Sequence, residues 1–200
     1  MLTVAVTGGA GTGKTEVCDC FRRLGAHVIS MDELAREAVK SDSPVLGAIS
    51  DHFGKGILRA NGSLDRKKLR GIIIRDSRAR EVLENLTHPD IFRLFEEKLD
   101  AIQFCNEDAI VVVEIPLLFE LGIQDQFDIV VLVEAGPDLQ KSRLMARDGS
   151  SSAEVQALLG IQMAADKKRP YADYIVKNQG QLQETEIAVK EIYRKISDSS

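Results

Sequence analysis

The sequence predicts an α/β fold built on a doubly wound, five-stranded parallel sheet. Short β-branched runs alternate with segments of helical periodicity along the chain, and this order is typical of strand–helix–strand units. The runs at 109–114 and 128–133 are apolar without alternation, as expected of strands buried on both faces of a parallel sheet. The runs predicted as strands are 2–6, 26–29, 109–114, 128–133 and 174–176.

Length, composition and charge limit the classes to which this protein can belong. The 200 residues, 44% hydrophobic and 28% charged, suit one α/β core with an insertion or a small lobe. The net charge of −5 argues against a nucleic-acid-binding surface. No apolar run reaches transmembrane length and no targeting segment is visible. The three cysteines, an odd number, indicate a reducing compartment. We therefore expect a cytoplasmic protein with small-molecule partners, no membrane or nucleic-acid partner, and a monomer as the favoured state.

A glycine-rich string follows the first strand. Residues 8–15 read Gly-Gly-Ala-Gly-Thr-Gly-Lys-Thr, and apolar residues then recur at i, i+4 and i+7 as on one face of a helix. Strand, loop, Lys-Thr and helix together are the context of a phosphate-binding loop, or P-loop. Its amides would surround a polyphosphate, with Lys14 on the β- and γ-phosphates and the Thr15 hydroxyl on Mg²⁺. The alternative is a glycine-rich turn without a ligand; the combined pattern favours nucleoside triphosphate binding.

The second strand leads directly to an acidic residue. Asp32 follows the predicted strand at 26–29, at the point where the next helix is predicted to begin. Ligands of open α/β sheets bind beyond the carboxyl ends of the strands, which makes Asp32 a candidate catalytic group. Alternatively, Asp32 or Ser30 caps the next helix, and both roles are compatible.

Residues 40–107 are predicted to form a helical insertion. It opens with a turn and helix start at 41–44. The basic stretch 64–70 is either a solvated helix face or a receptor for an anionic substrate. His88 and Pro89 precede a segment with an amphipathic helical pattern, so we expect a long helix to begin there. A histidine before proline is more typical of a helix start or of packing than of catalysis.

The third strand ends in a carboxylate. Glu114 closes the run 109–114, as the acidic residue of a Walker-B strand does where it helps to order Mg²⁺ and its water. The sequence thus predicts a metal site formed by Thr15 and Glu114.

A helical hairpin follows the fourth strand. Arg143 and Arg147 stand at i and i+4 on one helix, residues 149–152 break that helix, and a second helix is predicted from about 153 to 165. Paired arginines on such a hairpin suit a lid that closes over phosphates; the alternative for either one is a surface salt bridge. A C-terminal helix is predicted over 182–196, with a frayed end at 197–200.

These segments predict three parts. They are a nucleotide-binding core (1–39, 108–137 and 166–200), an acceptor-side insertion (40–107) and a lid (138–165). A GTPase would carry Asn-Lys-x-Asp for the guanine, and the nearest string, Lys177–Gly180, lacks it. One lobe for an acceptor and one over ATP favour a small-molecule kinase.

The whole chain resembles the dephospho-coenzyme A kinase family. Strings typical of that family occur in order over nearly the full length, at 6–14, 28–32, 35–36, 52–54, 62–66, 69–70, 88–89, 115–120, 143–144 with 147, 162, 172–173 and 178–180. The resemblance implies transfer of the ATP γ-phosphate to the ribose 3′-hydroxyl of dephospho-CoA. This reaction gives CoA and ADP and is the last step of coenzyme A biosynthesis.

The resemblance also implies roles for individual residues. Asp32 would orient and deprotonate the hydroxyl, while Lys14, Mg²⁺ on Thr15, Arg143 and Arg147 would neutralise charge on the transferred group. The implied ATP-binding set is Gly9, Ala10, Gly11, Thr12, Gly13, Lys14, Thr15, Glu16, Arg147, Asn178 and Gly180. The implied acceptor-binding set is Asp32, Arg66, Arg70, His88, Pro116 and Leu117.

Two departures and two alternatives accompany this assignment. The family often has Asp-x-Asp where this chain has Ser30-Met31-Asp32, which leaves Asp32 as the candidate base there. It often has Asp-Asn where this chain has Lys177-Asn178. A nucleoside or nucleotide kinase would use the same phosphate chemistry with a different acceptor lobe. A regulatory switch would bind ATP without useful turnover, which the retained catalytic set argues against.

Overall fold

A computed structural model describes residues 1–149, 151–160 and 162–198. Within these ranges the strands are β1 (Leu2–Gly8), β2 (His27–Ser30), β3 (Ile110–Glu114), β4 (Ile129–Glu134) and β5 (Tyr174–Lys177). The α-helices are α1 (Lys14–Arg23), α2 (Met31–Ala38), α3 (Pro44–Phe53), α4 (Arg66–Ile73), α5 (Ser77–Cys105), α6 (Pro137–Asp148), α7 (Ser152–Gly160), α8 (Ala165–Lys168) and α9 (Leu182–Ser197). Short 3₁₀ turns occupy Lys55–Ile57, Gln124–Gln126 and Arg169–Tyr171. Parts of the predicted helix break (Ser150), second lid helix (Ile161) and frayed end (Ser199 and Ser200) lie outside the described residues.

The strands form one parallel sheet with the order β2-β3-β1-β4-β5. In the register of this sheet, β1 pairs with β3 on one side, with Val6 opposite Glu114, and with β4 on the other, with Gly8 opposite Val133. Because parallel strands end at the same edge, the loop after β1 and the carboxylate that ends β3 share that edge. The predicted fold class is confirmed, and each strand lies within two residues of its predicted bounds.

One compact unit comprises residues 1–30 and 101–200. Its core packs the valines of the sheet against α1 and α9, and Val17 and Phe21 of α1 are completely buried. Cys18 and Cys20 belong to the same core. Burial raises the pKa of the Cys18 thiol, with Glu114 the largest electrostatic contributor, so this thiol stays protonated and unreactive.

Residues 31–100 form a second compact unit. Its core gathers apolar side chains from α3, α4 and the turn between them, namely Val39, Val45, Leu46, Ile49, Ile57, Leu64 and Leu69. Ser43 caps α3 by accepting a hydrogen bond from the Leu46 amide at 3.1 Å, so the predicted helix start is confirmed. Asp65 caps α4 through the Lys68 amide at 3.2 Å. Both helix starts are therefore held by side chains of the type that favours this position.

The predicted start of a helix after His88-Pro89 is wrong. Both residues lie inside α5, which begins at Ser77 and contains Pro89 in its interior. Proline lacks an amide donor and crowds the preceding turn, which is why the sequence pattern favoured a start there. The helix nevertheless continues, because Leu83 and Leu86 pack on the core of the second unit before the proline. Apolar side chains are buried after it as well, at Ile91 and Phe95.

The second lid helix is shorter than predicted. α7 ends at Gly160, and α8 begins at Ala165. The Met163 amide donates to the Glu120 carboxylate at 2.8 Å, whereas a continued helix would direct it to the carbonyl of Leu159. The Met163 amide is therefore satisfied by a carboxylate from another segment and not by a continued helix.

No helix in the described ranges is both long enough and apolar enough to cross a membrane. The division into core, insertion and lid at the predicted boundaries stays a prediction.

Candidate active site

The loop between β1 and α1 has the backbone of an anion cradle. Gly11 and Gly13 have φ of 76° and 87°, a left-handed conformation that glycine adopts without a Cβ penalty. The Thr12 amide and hydroxyl both donate to the Gly9 carbonyl, at 3.3 and 2.9 Å. The loop is thus closed on itself and leads directly into the N-terminus of α1, where backbone amides and the helix dipole favour phosphate.

Lys14 is held against this loop. Its Nζ donates to the carbonyls of Gly8 and Gly9, both at 3.0 Å, and the residue is only 8% exposed. A buried ammonium needs such partners, and these hold it beside the positions that the phosphates of a nucleotide occupy in P-loop proteins.

Thr15 and Glu114 meet at the carboxyl edge of the sheet. The Thr15 hydroxyl donates to Glu114 Oε1 at 2.9 Å, and Glu114 is 8% exposed at the end of β3. A hydroxyl oxygen beside a carboxylate oxygen is the kind of donor pair that Mg²⁺ prefers. The sequence placed these residues almost 100 positions apart, and the sheet brings them into contact.

A second set of polar contacts joins the loop to α6 and to the segment after β5. Arg143 Nη1 donates to the carbonyls of Gly11 and Thr12, both at 3.3 Å, and its Nη2 donates to Asn178 Oδ1 at 3.1 Å. Asn178 is 1% exposed, and its amide donates to Glu16 Oε2 at 2.8 Å. The guanidinium of Arg143 is therefore fixed beside the loop, and Asn178 connects it to α1.

The structure does not bring every candidate to the loop. Arg147 is exposed and forms two hydrogen bonds with its neighbour Asp148, at 2.8 and 3.0 Å. Gly180 is exposed with φ of 107°. Pro116 and Leu117 are half-buried in the turn that follows β3.

Gln162 contacts the loop although the sequence did not single it out as a site residue. Its Oε1 accepts a hydrogen bond from the Ala10 amide at 2.7 Å. The sequence offered one indication: Gln162 is among the residues typical of the kinase family that the chain resembles. Its link to the loop was not readable because the two residues are 152 positions apart.

Four of the acceptor-side candidates, Asp32, Arg66, Arg70 and His88, lie in the second unit. Asp32, the second residue of α2, is exposed, and Arg66 and Arg70 are exposed on α4. His88 is half-buried within α5, where its ring meets Phe92 edge-on with centroids 6.0 Å apart. Burial, then the proximity of Arg36 and of Arg59, lowers the pKa of the Arg66 guanidinium, and Asp32 partly offsets this lowering. The structure thus places Asp32 and Arg66 in the same unit and gives His88 a packing contact.

Replacing Gly8 with alanine is expected to destabilise the protein by about 2 kcal/mol or more. An added Cβ would lie 2.3 Å from the backbone oxygen of Val133 in β4, and Gly8 has φ of 153°, so β1 or the loop would have to shift. Urea denaturation measures the loss. Gly47→Ala in α3 is the control: no heavy atom lies within 4 Å of its Cβ position, and the change should stabilise by up to about 1 kcal/mol. Equal stability of both variants would contradict the steric argument.

Fold and site together define a P-loop kinase: a parallel sheet whose first strand ends in a nucleotide-binding loop, with a lysine, a Thr–Glu pair and an arginine around it. Comparison with known proteins identifies the family. The family model for dephospho-CoA kinase matches residues 2–184. The chain belongs to the dephospho-CoA kinase family.

Individual relatives agree with this assignment. The chain is 40% identical over 185 residues to the dephospho-CoA kinase of Syntrophotalea carbinolica, covering 92% of this chain and 87% of that protein. Among solved structures, a Thermus thermophilus protein is similar with a TM-score of 0.81 and 31% identity, over 98% of this chain and 97% of its own. Dephospho-CoA kinase from Campylobacter jejuni is similar with a TM-score of 0.71 and 28% identity, over 98% of both chains.

Proposed function

We propose that this protein transfers the γ-phosphate of ATP to the 3′-hydroxyl of the ribose of dephospho-CoA, which gives CoA and ADP in the last step of coenzyme A biosynthesis. The observation that carries this proposal is the family match over residues 2–184. The contacts around the P-loop support it, because they assemble the charges that phosphoryl transfer requires. The nucleoside or nucleotide kinase alternative is not favoured, since the family and the named relatives are dephospho-CoA kinases.

On the nucleotide side, the loop from Gly9 to Gly13 binds the phosphates through its amides. Lys14 and Arg143 are the cations that lie against this loop, and they neutralise charge that builds up on the transferred group. Glu16, Thr12 and Asn178 hold the loop and Arg143 in place through the hydrogen bonds described above. Arg147 and Gly180 complete the proposed ATP-binding set.

The Thr15–Glu114 pair fits a Mg²⁺ ion bound with the nucleotide. Both groups offer oxygen, and the pair lies next to Lys14 in the chain at the carboxyl edge of the sheet. Within the described residues, no three His, Cys, Asp or Glu side chains gather into a metal site of their own. This suits Mg²⁺, which keeps several waters and takes phosphate oxygens as further ligands. When bound, the ion would neutralise phosphate charge.

On the acceptor side, Asp32 accepts a hydrogen bond from the ribose hydroxyl and aligns its oxygen with the γ-phosphorus. Phosphoryl transfer passes through a loose transition state, so the proton leaves late. The Asp32 carboxylate orients the hydroxyl and then accepts its proton. Arg66, Arg70, His88, Pro116 and Leu117 form the proposed acceptor-binding set. A cytoplasmic location and a monomeric state stay predictions of the sequence.

A coupled assay of ADP formation tests the proposed function. ATP and Mg²⁺ are supplied with dephospho-CoA, with adenosine, with AMP, or without an acceptor. We expect strong stimulation by dephospho-CoA and an increase in mass of one phosphate on the product. Stimulation by AMP or adenosine instead would establish a nucleotide or nucleoside kinase. ADP formation at the same rate with and without each acceptor would refute the proposed transfer.

Glu114→Gln is expected to raise the Mg²⁺ concentration for half-maximal activity about tenfold or more, the range found when groups around a metal site are changed. The amide keeps the shape of the side chain but loses the negative charge that attracts the cation. Magnesium titration at saturating ATP measures the shift, and Mn²⁺ binding in the presence of ADP, followed by electron paramagnetic resonance, provides a readout without turnover. Glu191→Gln on the exposed side of α9 is the control. An unchanged midpoint in both measurements would remove Glu114 from the metal site.

A further inference from the structure

Lys168 is a buried charge that the proposed mechanism does not use. The residue is 1% exposed at the end of α8, and its Nζ lies 3.0 Å from Glu120 Oε1 and 5.9 Å from the centre of the Phe119 ring. Within the described ranges this ammonium makes no well-aligned hydrogen bond. Removing such charges from water costs free energy that their attraction only partly returns. The pair therefore adds little net stability, and its main effect is to fix the two segments that carry it.

Glu120 holds one of these segments at two points. The Oε1 atom that lies beside Lys168 also accepts a hydrogen bond from the Met163 amide at 2.8 Å. This carboxylate, in the turn after β3, thus contacts both ends of the segment 163–168, which contains α8. All of these residues belong to the unit of residues 1–30 and 101–200. A segment fixed at both ends also restricts its neighbour in the chain, Gln162.

Gln162 lies against the P-loop. Its Oε1 accepts a hydrogen bond from the Ala10 amide at 2.7 Å and lies 3.7 Å from the position that a Cβ would take on Gly9. Lys14 Nζ contacts the same end of the loop, since it donates to the carbonyls of Gly8 and Gly9. In P-loop proteins this lysine binds the β- and γ-phosphates. The carboxamide of Gln162 is therefore held at the end of the loop where a γ-phosphate binds.

The carboxamide of Gln162 has hydrogen-bonding capacity left. Such a group offers an oxygen acceptor and two N–H donors. The oxygen is used by the Ala10 amide, whereas Nε2 has no partner among residues 1–149, 151–160 and 162–198. N–H donors beside a transferred phosphate stabilise the charge that develops on it. A half-buried donor at this end of the P-loop is suited to that role.

We infer that Gln162 donates through Nε2 to the γ-phosphate of ATP while its Oε1 stays on the Ala10 amide. Glu120 and Lys168 are positioning residues, because they fix the segment that follows Gln162. This inference rests on the proposed use of ATP as the phosphate donor. ADP lacks the γ-phosphate, so the contact favours binding of ATP over binding of the product ADP.

Calorimetric titration of Gln162→Glu with a non-hydrolysable ATP analogue and with ADP tests the contact. Glutamate keeps an oxygen for the Ala10 amide but replaces the N–H donors by a negative charge. The affinity for the analogue should fall about tenfold or more, and the affinity for ADP should stay within twofold of the wild type. Gln156→Glu, at an exposed position on α7, makes the same change and is the control. An unchanged affinity for the analogue, an equal loss for ADP, or an equal loss in Gln156→Glu would overturn the inference.

The positioning role is tested by two double variants that remove both charges of the buried pair. Glu120→Leu with Lys168→Met removes the acceptor of the Met163 amide, whereas Glu120→Gln with Lys168→Met keeps an oxygen there. Neither leaves a lone buried charge, so both should fold, which thermal unfolding verifies. We expect the leucine variant to lose the preference for the analogue over ADP about tenfold, as Gln162→Glu does, and the glutamine variant to retain it within twofold. An equal preference in the two variants would show that Glu120 does not position Gln162.

These binding measurements separate the inference from the proposed function. They need neither dephospho-CoA nor turnover, so a selective loss of analogue binding would support the γ-phosphate contact even if dephospho-CoA were not phosphorylated. Formation of CoA by the wild type, together with unchanged analogue binding by Gln162→Glu, would reject the contact and leave the proposed function intact.

Discussion

Asp32→Asn is expected to lower turnover with dephospho-CoA roughly 100-fold or more, while ATP binding is retained. Asparagine has the same shape but cannot accept the proton of the ribose hydroxyl, and its amide can present a donor where the hydroxyl needs an acceptor. A positioned acid–base group typically contributes 10²- to 10⁴-fold. Stopped-time measurement of CoA formation gives the rate, and calorimetric titration with a non-hydrolysable ATP analogue gives the affinity.

Glu37→Gln is the matched control for Asp32→Asn. Glu37 is an exposed carboxylate on the same helix α2, and its replacement removes the same charge five residues further along. If the two variants lose activity equally, the loss is caused by the change in the net charge of the helix and not by removal of the carboxylate at position 32. A near-normal rate for Asp32→Asn would refute the role proposed for this residue.

Lys14→Met is expected to lower kcat by about 10²- to 10³-fold, the range for loss of one preorganised charge that stabilises a transition state. Lys14 Nζ lies 3.0 Å from two carbonyls of the P-loop, so the ammonium is held in place before any substrate binds. Methionine is also unbranched and fills a similar space, but it carries no charge. Steady-state kinetics at saturating ATP separate the loss in kcat from weaker nucleotide binding.

Lys190→Met provides the comparison for Lys14→Met. Lys190 is exposed on α9, and the same substitution there should leave kcat within twofold of the wild type. Thermal unfolding of both variants verifies that they are folded. A folded Lys14→Met enzyme with full kcat would show that Lys14 does not stabilise the transferring phosphate.

The sheet and the P-loop were predictable because local sequence determines them. A strand buried on both faces must be apolar throughout, so 109–114 and 128–133 could be identified without any contact information. The string at 8–15 needs glycine where the backbone turns left-handed, and Gly11 and Gly13 have positive φ. The positions of the helices were less predictable, because tertiary contacts override local preferences. Pro89 remains inside α5, and the Met163 amide donates to Glu120 where a continued helix was predicted.

For the acceptor-side residues, prediction from the sequence was limited for a different reason. The basic stretch 64–70 was visible in the sequence as either a solvated face or an anion receptor. The turn at Arg59 and the contact between Arg66 and the Arg36 carbonyl join it to residues from two other segments. Charges alone could not reveal that grouping, since any of these arginines could equally have paired with a nearby carboxylate, as Arg93 does.

The sequence by itself determined the fold class, the nucleotide-binding loop and the family, because each depends on residue types at fixed spacing along the chain. Only the tertiary structure decided which distant side chains meet: Thr15 with Glu114, Arg143 with Asn178, and Gln162 with Ala10. The physical reason is that these contacts depend on strand register and helix packing. Many residues far apart in the chain contribute to both, and no local pattern records them.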